Sequence, residues 1–304
     1  MAMLITGGTG FVGSHLARLL ASRRRDVRLL VRSEQKAAAA LALGLEAAVG
    51  DVTDPEALRR ACEGVDTVVH LVAIIVESGG ATFKSVNVQG TANLIGGAVE
   101  AGVGRYIHLS ALGARDDTRF PYLYSKWRGA ELARGSGMAT TVMEPSLLYG
   151  EGDDFLNRLA SLARMSPLVP IAGTGSTRFQ PIWVEDVVTC LERCLEDDRY
   201  DGQTLAIGGP EYLTYEGMVD MMVRTLGLSR WKLHMPLVFM RLVASVMERT
   251  MPNPMVTPSQ LDMLALDNVT ALDSVERLFG FSPARLEERI DYLRSPQRGA
   301  ILGE

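Results

Sequence analysis

The run Thr6-Gly7-Gly8-Thr9-Gly10-Phe11-Val12-Gly13 limits what this chain can fold into more than any other feature. It follows an apolar run, Met3 to Thr6, and opens a helical pattern through Leu16 to Leu20, so its glycines carry the T-G-x-x-G-x-x-G spacing of a strand–turn–helix unit. Gly7 permits the tight turn, Gly10 lets the backbone approach a pyrophosphate, and Gly13 lets helix and strand pack closely. Thr9, Phe11 and Val12 complete the loop, and the helix N-terminus behind it offers unpaired N–H donors to an anion. The expected occupant is a dinucleotide.

Short apolar runs then alternate with helical patterns: Val27 to Val31, an Ala-rich helix, Leu45 to Val49, a helix opened by Asp54-Pro55, and Val65 to Val72. A long helical stretch around Asn87 to Ala101, Tyr106 to Leu109, a helix from about Tyr122, and Thr140 to Met143 follow. This is βαβ winding, and it predicts an α/β fold with a Rossmann doubly wound parallel sheet over residues 1–148. After Tyr149-Gly150 the loops lengthen and Pro separates the helices, so residues 149–304 read as a smaller, mostly helical substrate lobe, with segments near 178–208 returning to the sheet.

A formal net charge of -5 argues against a nucleic-acid surface, and 47% hydrophobic residues supply a sizeable core. Cys62, Cys190 and Cys194 are too few and too irregular for a disulfide framework. The helical spacing of the last two suits core residues better than metal ligands. His15, His70, His108 and His234 have no metal-binding or triad spacing and read as structural, so no metal is expected. With no basic, apolar and cleavable N-terminal run, and no window long enough to span a bilayer, the expected location is the cytoplasm.

An NAD site usually ends its second strand in Asp or Glu, which holds the ribose 2'-hydroxyl. Here that position reads Val31-Arg32-Ser33, and Arg32 with Ser33 can bond a 2'-phosphate that a carboxylate would repel, so NADP(H) is preferred over NAD(H). Asp51 and Val52 would reach the adenine edge, with Leu71, Val72 and Ala73 passing beneath the adenosine ribose.

The glycine motif, Gly50-Asp51-Val52, His70-Leu71-Val72-Ala73, Asn87-Val88-Gln89-Gly90-Thr91 and Tyr122-Leu123-Tyr124-Ser125-Lys126 resemble the extended and atypical short-chain dehydrogenases. Glu144-Pro145-Ser146-Leu147-Leu148-Tyr149-Gly150, Arg178 to Val187 and Pro252 to Thr257 are similar to one branch of it, which contains the NADPH-holding accessory subunit of respiratory complex I and its bacterial relatives. The resemblance implies that Tyr122 moves a proton at the substrate oxygen, that Lys126 lowers the Tyr122 pKa and holds the nicotinamide ribose, and that Asn87 and Pro145 lie at the cofactor. It also implies a substrate-orienting Ser, but Ala111 stands at that position; Ser110, one residue before it, is the candidate to take that role or else to satisfy a backbone group at the strand end, and Glu144 replaces a common Arg. Two functions therefore stand: an NADP(H)-holding accessory, assembly or sensing module linked to respiratory or quinone machinery, and an oxidoreductase or epimerase acting on a small carbonyl or hydroxyl substrate.

Nine of the 14 methionines fall between Met218 and Met263, and Leu237, Met240, Val243 and Met247 recur at helical spacing. Residues 235–256 are thus the expected contact for an apolar small molecule, a protein partner or peripheral membrane attachment, unless they are the lobe's own core. The cofactor reading generates a direct test. NADPH should bind more tightly than NADH, and Arg32→Ala should weaken NADPH alone by about ten-fold or more in titration calorimetry; equal wild-type affinities would refute the assignment.

Overall fold

A computed structural model describes residues 2–250 and 256–295, and the chain divides into two compact units. Residues 251–255, which hold most of the Pro252 to Thr257 run, lie outside the described residues. The first unit takes residues 2–145 with Val187–Ala206, and the second takes Ser146–Asp186 with residues 207–295.

In the first unit, β1 (Met3–Thr6), α1 (Phe11–Ser22), β2 (Val27–Val31), α2 (Glu34–Ala42), β3 (Glu46–Val49), α3 (Pro55–Cys62) and β4 (Thr67–His70) come first. After a π-helical segment at Phe83–Gln89 come α4 (Gly90–Glu100), β5 (Arg105–Leu109), α5 (Pro121–Arg134) and β6 (Ala139–Pro145). The second unit opens with β7 (Leu148–Tyr149), α6 (Phe155–Met165), β8 (Leu168–Ala172), β9 (Arg178–Phe179) and β10 (Ile182–Trp183). The chain returns to the first unit through α7 (Val184–Glu196) and β11 (Thr204–Ile207). It finishes with β12 (Leu213–Thr214), α8 (Tyr215–Thr225), β13 (Trp231–Met235), α9 (Leu237–Thr250), α10 (Pro258–Leu264), α11 (Ser274–Phe279) and α12 (Leu286–Arg289).

The main sheet has seven strands in the order β11-β6-β5-β4-β1-β2-β3, with parallel pairing from β6 through to β3. Its strand order reverses between β1 and β4, the place where doubly wound sheets bind ligands. Every residue of β1 is buried, as a strand covered on both faces must be. Asp54 caps α3 by accepting from the Glu56 and Ala57 amides at 3.1 Å, with Pro55 in the first turn. Arg105 ties the returning segment in place through Asp201 and the Cys194 and Leu195 carbonyls. Cys190 and Cys194 are buried, and burial pushes the Cys194 thiol up to about 12.

The second unit has its own core, in which Tyr149, Phe179 and Tyr215 pack with Met218, Val219 and Met222. Two polar devices hold the segment from Arg178 onward. The Arg178 guanidinium donates twice to one Asp267 carboxylate oxygen, at 2.9 and 2.7 Å. Buried Gln180 donates to the Gly209 carbonyl and accepts from the Thr270 amide at 2.6 Å. Along α9, Leu237 and Met240 pack against this core and Ala244 is buried, whereas Val243 is exposed. Of the two readings of the stripe Leu237, Met240, Val243 and Met247, the first two members fit the lobe's own core, and the exposed apolar side chains of α9 are Val238, Phe239, Leu242, Val243 and Val246.

The tightest backbone approach lies in the first turn of the chain. A Cβ on Gly13 would stand 2.1 Å from the Gly7 carbonyl oxygen, far inside contact distance. Gly13→Ala should therefore cost about 3 kcal/mol in urea unfolding at pH 7, and a change near zero would contradict the geometry.

Candidate functional site

The glycine loop is held from within. Gly7 takes a φ of 78°, in the left-handed region that favours glycine, and its carbonyl accepts the Gly10 amide at 2.9 Å. Ser14 makes the first intrahelical bond of α1, to Gly10, so the amides of Phe11, Val12 and Gly13 come before it, with no side-chain cap and no carboxylate in the first turn. These amides and the positive end of the helix dipole suit a phosphate. The segment Leu71 to Ala73 runs beside the turn: the Leu71 amide donates to Thr6 at 3.0 Å, and the Val72 amide lies 3.0 Å from where a Gly7 Cβ would be.

Arg32 follows β2 directly, is exposed, and has no ion-pair partner among the described residues. Ser33 caps α2 by accepting from the Lys36 amide at 3.4 Å, which leaves its hydroxyl proton free to donate. Asp51 accepts both the Thr53 amide and hydroxyl, at 2.9 and 2.7 Å, and Val52 is buried beneath Gly90. Pro145 ends β6, and its carbonyl accepts the Leu112 amide at 2.9 Å. Asn87 is buried, and its amide group is fully engaged: it accepts from the Ile74 amide at 2.8 Å and donates to the Ile74 carbonyl and the Ser125 hydroxyl at 3.0 Å. It thus fixes the loop after β4 against α5.

Tyr122 and Lys126 lie one turn apart on α5. Lys126 is buried and donates to the Leu109 carbonyl at 2.6 Å, and desolvation pulls its pKa down to about 8. Tyr122 packs edge-on against Phe83 at 6.0 Å, and burial pushes its phenol up to about 12. Desolvation thus dominates the Tyr122 phenol, and the Lys126 ammonium is directed at the Leu109 carbonyl. Ser110 is buried; its amide bonds Met143 and its hydroxyl donates to the Lys126 carbonyl at 3.4 Å. Ala111 beside it carries no hydroxyl.

Sequence reasoning missed a polar chain that passes beneath these groups. His70 Nδ1 lies 2.6 Å from the Thr6 hydroxyl, and its Nε2 lies 3.0 Å from the Thr91 hydroxyl, which donates to the Asn87 carbonyl at 2.7 Å. Thr91 has one proton and gives it to Asn87, so it must accept from His70 Nε2–H, and Nδ1 must accept from Thr6. His70 is therefore neutral, and burial with Lys126 nearby lowers its pKa to about 3. The His108 ring lies 5.4 Å away, fully buried with neither nitrogen bonded, and its pKa is also held well below the usual value by burial. The available signal was Thr, His and Thr at interior positions where apolar residues were expected.

Turn, switch point and Tyr–Lys helix together define a dinucleotide-binding protein of the Rossmann class. The sequence profile of the NAD dependent epimerase/dehydratase family matches residues 3–208, and the chain belongs to that family. It is 34% identical to a ceramide reductase from Caulobacter vibrioides over 187 residues, which cover 62% of this chain but only 58% of that protein. It is 26% identical to subunit 9 of the NADH dehydrogenase [ubiquinone] 1 alpha subcomplex from Dictyostelium discoideum, covering 89% of this chain and 77% of that one. A UDP-glucuronic acid 4-epimerase from Bacillus cereus, solved with NAD, superposes with a TM-score of 0.73 at 19% identity, covering 97% and 99% of the two chains.

The buried histidines set a pH dependence. Below pH 6.5 the unfolded chain takes up protons that folded His70 and His108 refuse, so their contribution is intact above pH 6.5 and is lost as pH falls, for His70 toward about 3. His70→Asn should remove up to about 1.4 kcal/mol per pH unit from that slope in urea midpoints measured between pH 6.5 and 4.5. An unchanged slope would show that His70 is not held neutral.

Proposed function

We propose that this protein holds NADP(H) as a bound ligand in an accessory, assembly or sensing role, related to the NADPH-holding subunit of respiratory complex I or to quinone metabolism. The observation that carries this reading is the state of the substrate-orienting position. Ala111 has no hydroxyl, and the nearest one, on Ser110, is buried and donates to the Lys126 carbonyl. A carbonyl substrate at Tyr122 would thus lack its usual second donor, whereas each residue type read as holding the nucleotide is present. Phosphate would sit on the amides of Phe11 to Gly13, the 2'-phosphate on Arg32 and Ser33, and the nicotinamide ribose on Lys126. The likeness to a complex I subunit over most of the chain supports the same reading. Bound nucleotide would draw the Lys126 ammonium toward the ribose. The protein is read as cytoplasmic, with peripheral attachment through residues 235–256.

A second reading, an NADP(H)-dependent oxidoreductase or epimerase, is favoured by the intact pair Tyr122 and Lys126 on α5 and by the likeness to a ceramide reductase. Bound nucleotide would supply hydride chemistry there, while Tyr122 would exchange the proton at the substrate oxygen. The two residues separate the readings. Lys126→Ala should weaken NADPH retention and lower its thermal protection in either case. Tyr122→Phe should leave both intact and support wild-type growth in a deletion strain under the accessory reading. A Tyr122→Phe strain that behaves like the deletion, with nucleotide still bound, would establish the enzyme instead.

A further inference from the structure

Helix α9 has two apolar sides. One is covered by the core of the second unit through Leu237, Met240 and Ala244. On the other, Val238, Leu242 and Val246 recur every fourth residue with Phe239 and Val243 beside them, and Val238 is 81%, Leu242 63% and Phe239 51% exposed. A helix that is apolar nearly all round belongs under cover. The exposed apolar surface continues along the chain through Pro236 into β13, where Trp231 is 77% exposed and Leu233 half exposed. Trp231 is the register partner of Leu168 on the parallel strand β8, and Met165, three residues before Leu168, is 84% exposed.

A cationic cavity adjoins this run. Arg164 from α6, Arg224 from the end of α8 and Arg294 from the last described turn line a space of about 460 Å³ with Thr225, Gly227 and Leu228, and no carboxylate is among the lining residues. Arg164 donates to the Leu293 carbonyl, and Arg294 donates to the Thr225 carbonyl at 3.0 Å and pairs with Asp291 at 3.3 Å. Arg224 has no carboxylate partner among the described residues. Residues 221–250 carry five cations, Arg224, Arg230, Lys232, Arg241 and Arg249, against the single carboxylate of Glu248, in a chain whose net charge is -5. Lys232 is offset by Glu216 and Asp220, and Arg241 by Asp262, which leaves the arginines nearest the cavity and Arg249 for an outside anion.

We propose that this face of the second unit docks on an anionic phospholipid bilayer. Phe239, Leu242 and Trp231 enter the boundary between headgroups and acyl chains, and lipid phosphates meet Arg164, Arg224 and Arg294. Exposed aromatic and aliphatic side chains beside a cluster of arginines, of which Arg224 has no carboxylate partner among the described residues, form the pattern of an interfacial helix. A second copy of the chain is disfavoured, because a two-fold contact through this face would enclose two sets of these arginines, and no carboxylate is among the residues lining the cavity to pair them. The proposal rests on the attachment read from residues 235–256, and it commits that attachment to a lipid and to the opposite side of α9.

The test is co-sedimentation of the full chain with vesicles of phosphatidylcholine alone and of phosphatidylcholine mixed equally with phosphatidylglycerol. Wild type should sediment with the mixed vesicles, stay in solution with the neutral ones, and be released by salt. The double variant Phe239→Asp, Leu242→Asp should partition about ten-fold more weakly, and Arg224→Glu several-fold more weakly. Both should keep the wild-type melting temperature and NADPH affinity, which separates this surface from the nucleotide site. If the double variant melts early, Phe239→Ser takes its place. Wild type remaining in solution with both vesicle types, or variants sedimenting like wild type, would overturn the lipid assignment alone. A wild-type dimer that Phe239→Asp, Leu242→Asp converts to monomer without altering sedimentation would overturn the attachment reading in favour of self-association.

Discussion

The carbonyl of Gly7 is the point on which the nucleotide site turns. It accepts the Gly10 amide and lies where a Gly13 side chain would have to be. Because neither glycine carries a Cβ, α1 can start within a few residues of β1 and direct three unbonded amides outward at the place where the strand order reverses. The same closeness brings Leu71 to Ala73 against the turn, so that the ends of β1 and β4 form one edge.

Beneath that edge, polarity is handled by neutralisation rather than by ion pairing. His70 stays uncharged between two threonine hydroxyls, and the chain of bonds passes through Thr91 to Asn87, which braces Ser125 on α5. The one buried ammonium nearby, Lys126, has only a carbonyl partner, and its pKa falls accordingly. Keeping His70 and His108 neutral avoids burying two more charges beside Lys126. The apolar interior, the histidine chain and the Tyr–Lys helix are thus one assembly within the first unit.

Much of this was legible from residue spacing. The glycine run, the period of the strands and the Asp54-Pro55 cap are local signals, and the parallel sheet follows from repeating them. The polar chain was not legible, because whether His70 meets Thr6 and Thr91 depends on which strands become neighbours, 64 and 21 residues apart in sequence. Nor could spacing decide which side of α9 faces out, since apolar residues occupy both sides and only the position of the second unit's core selects Leu237 and Met240. The expectation that segments near 178–208 return to the sheet is a coarse one, and the bounds Val187–Ala206 depend on β11 joining β6, a pairing written in no short motif.

A protein whose role is to hold NADP(H) should leave the cell with it bound. Native mass spectrometry of freshly purified protein tests this most directly. The expected result is an added mass equal to one NADP(H) per chain, retained through gentle desalting. A chain that emerges with NAD(H), or empty and unable to take up NADPH, would contradict it.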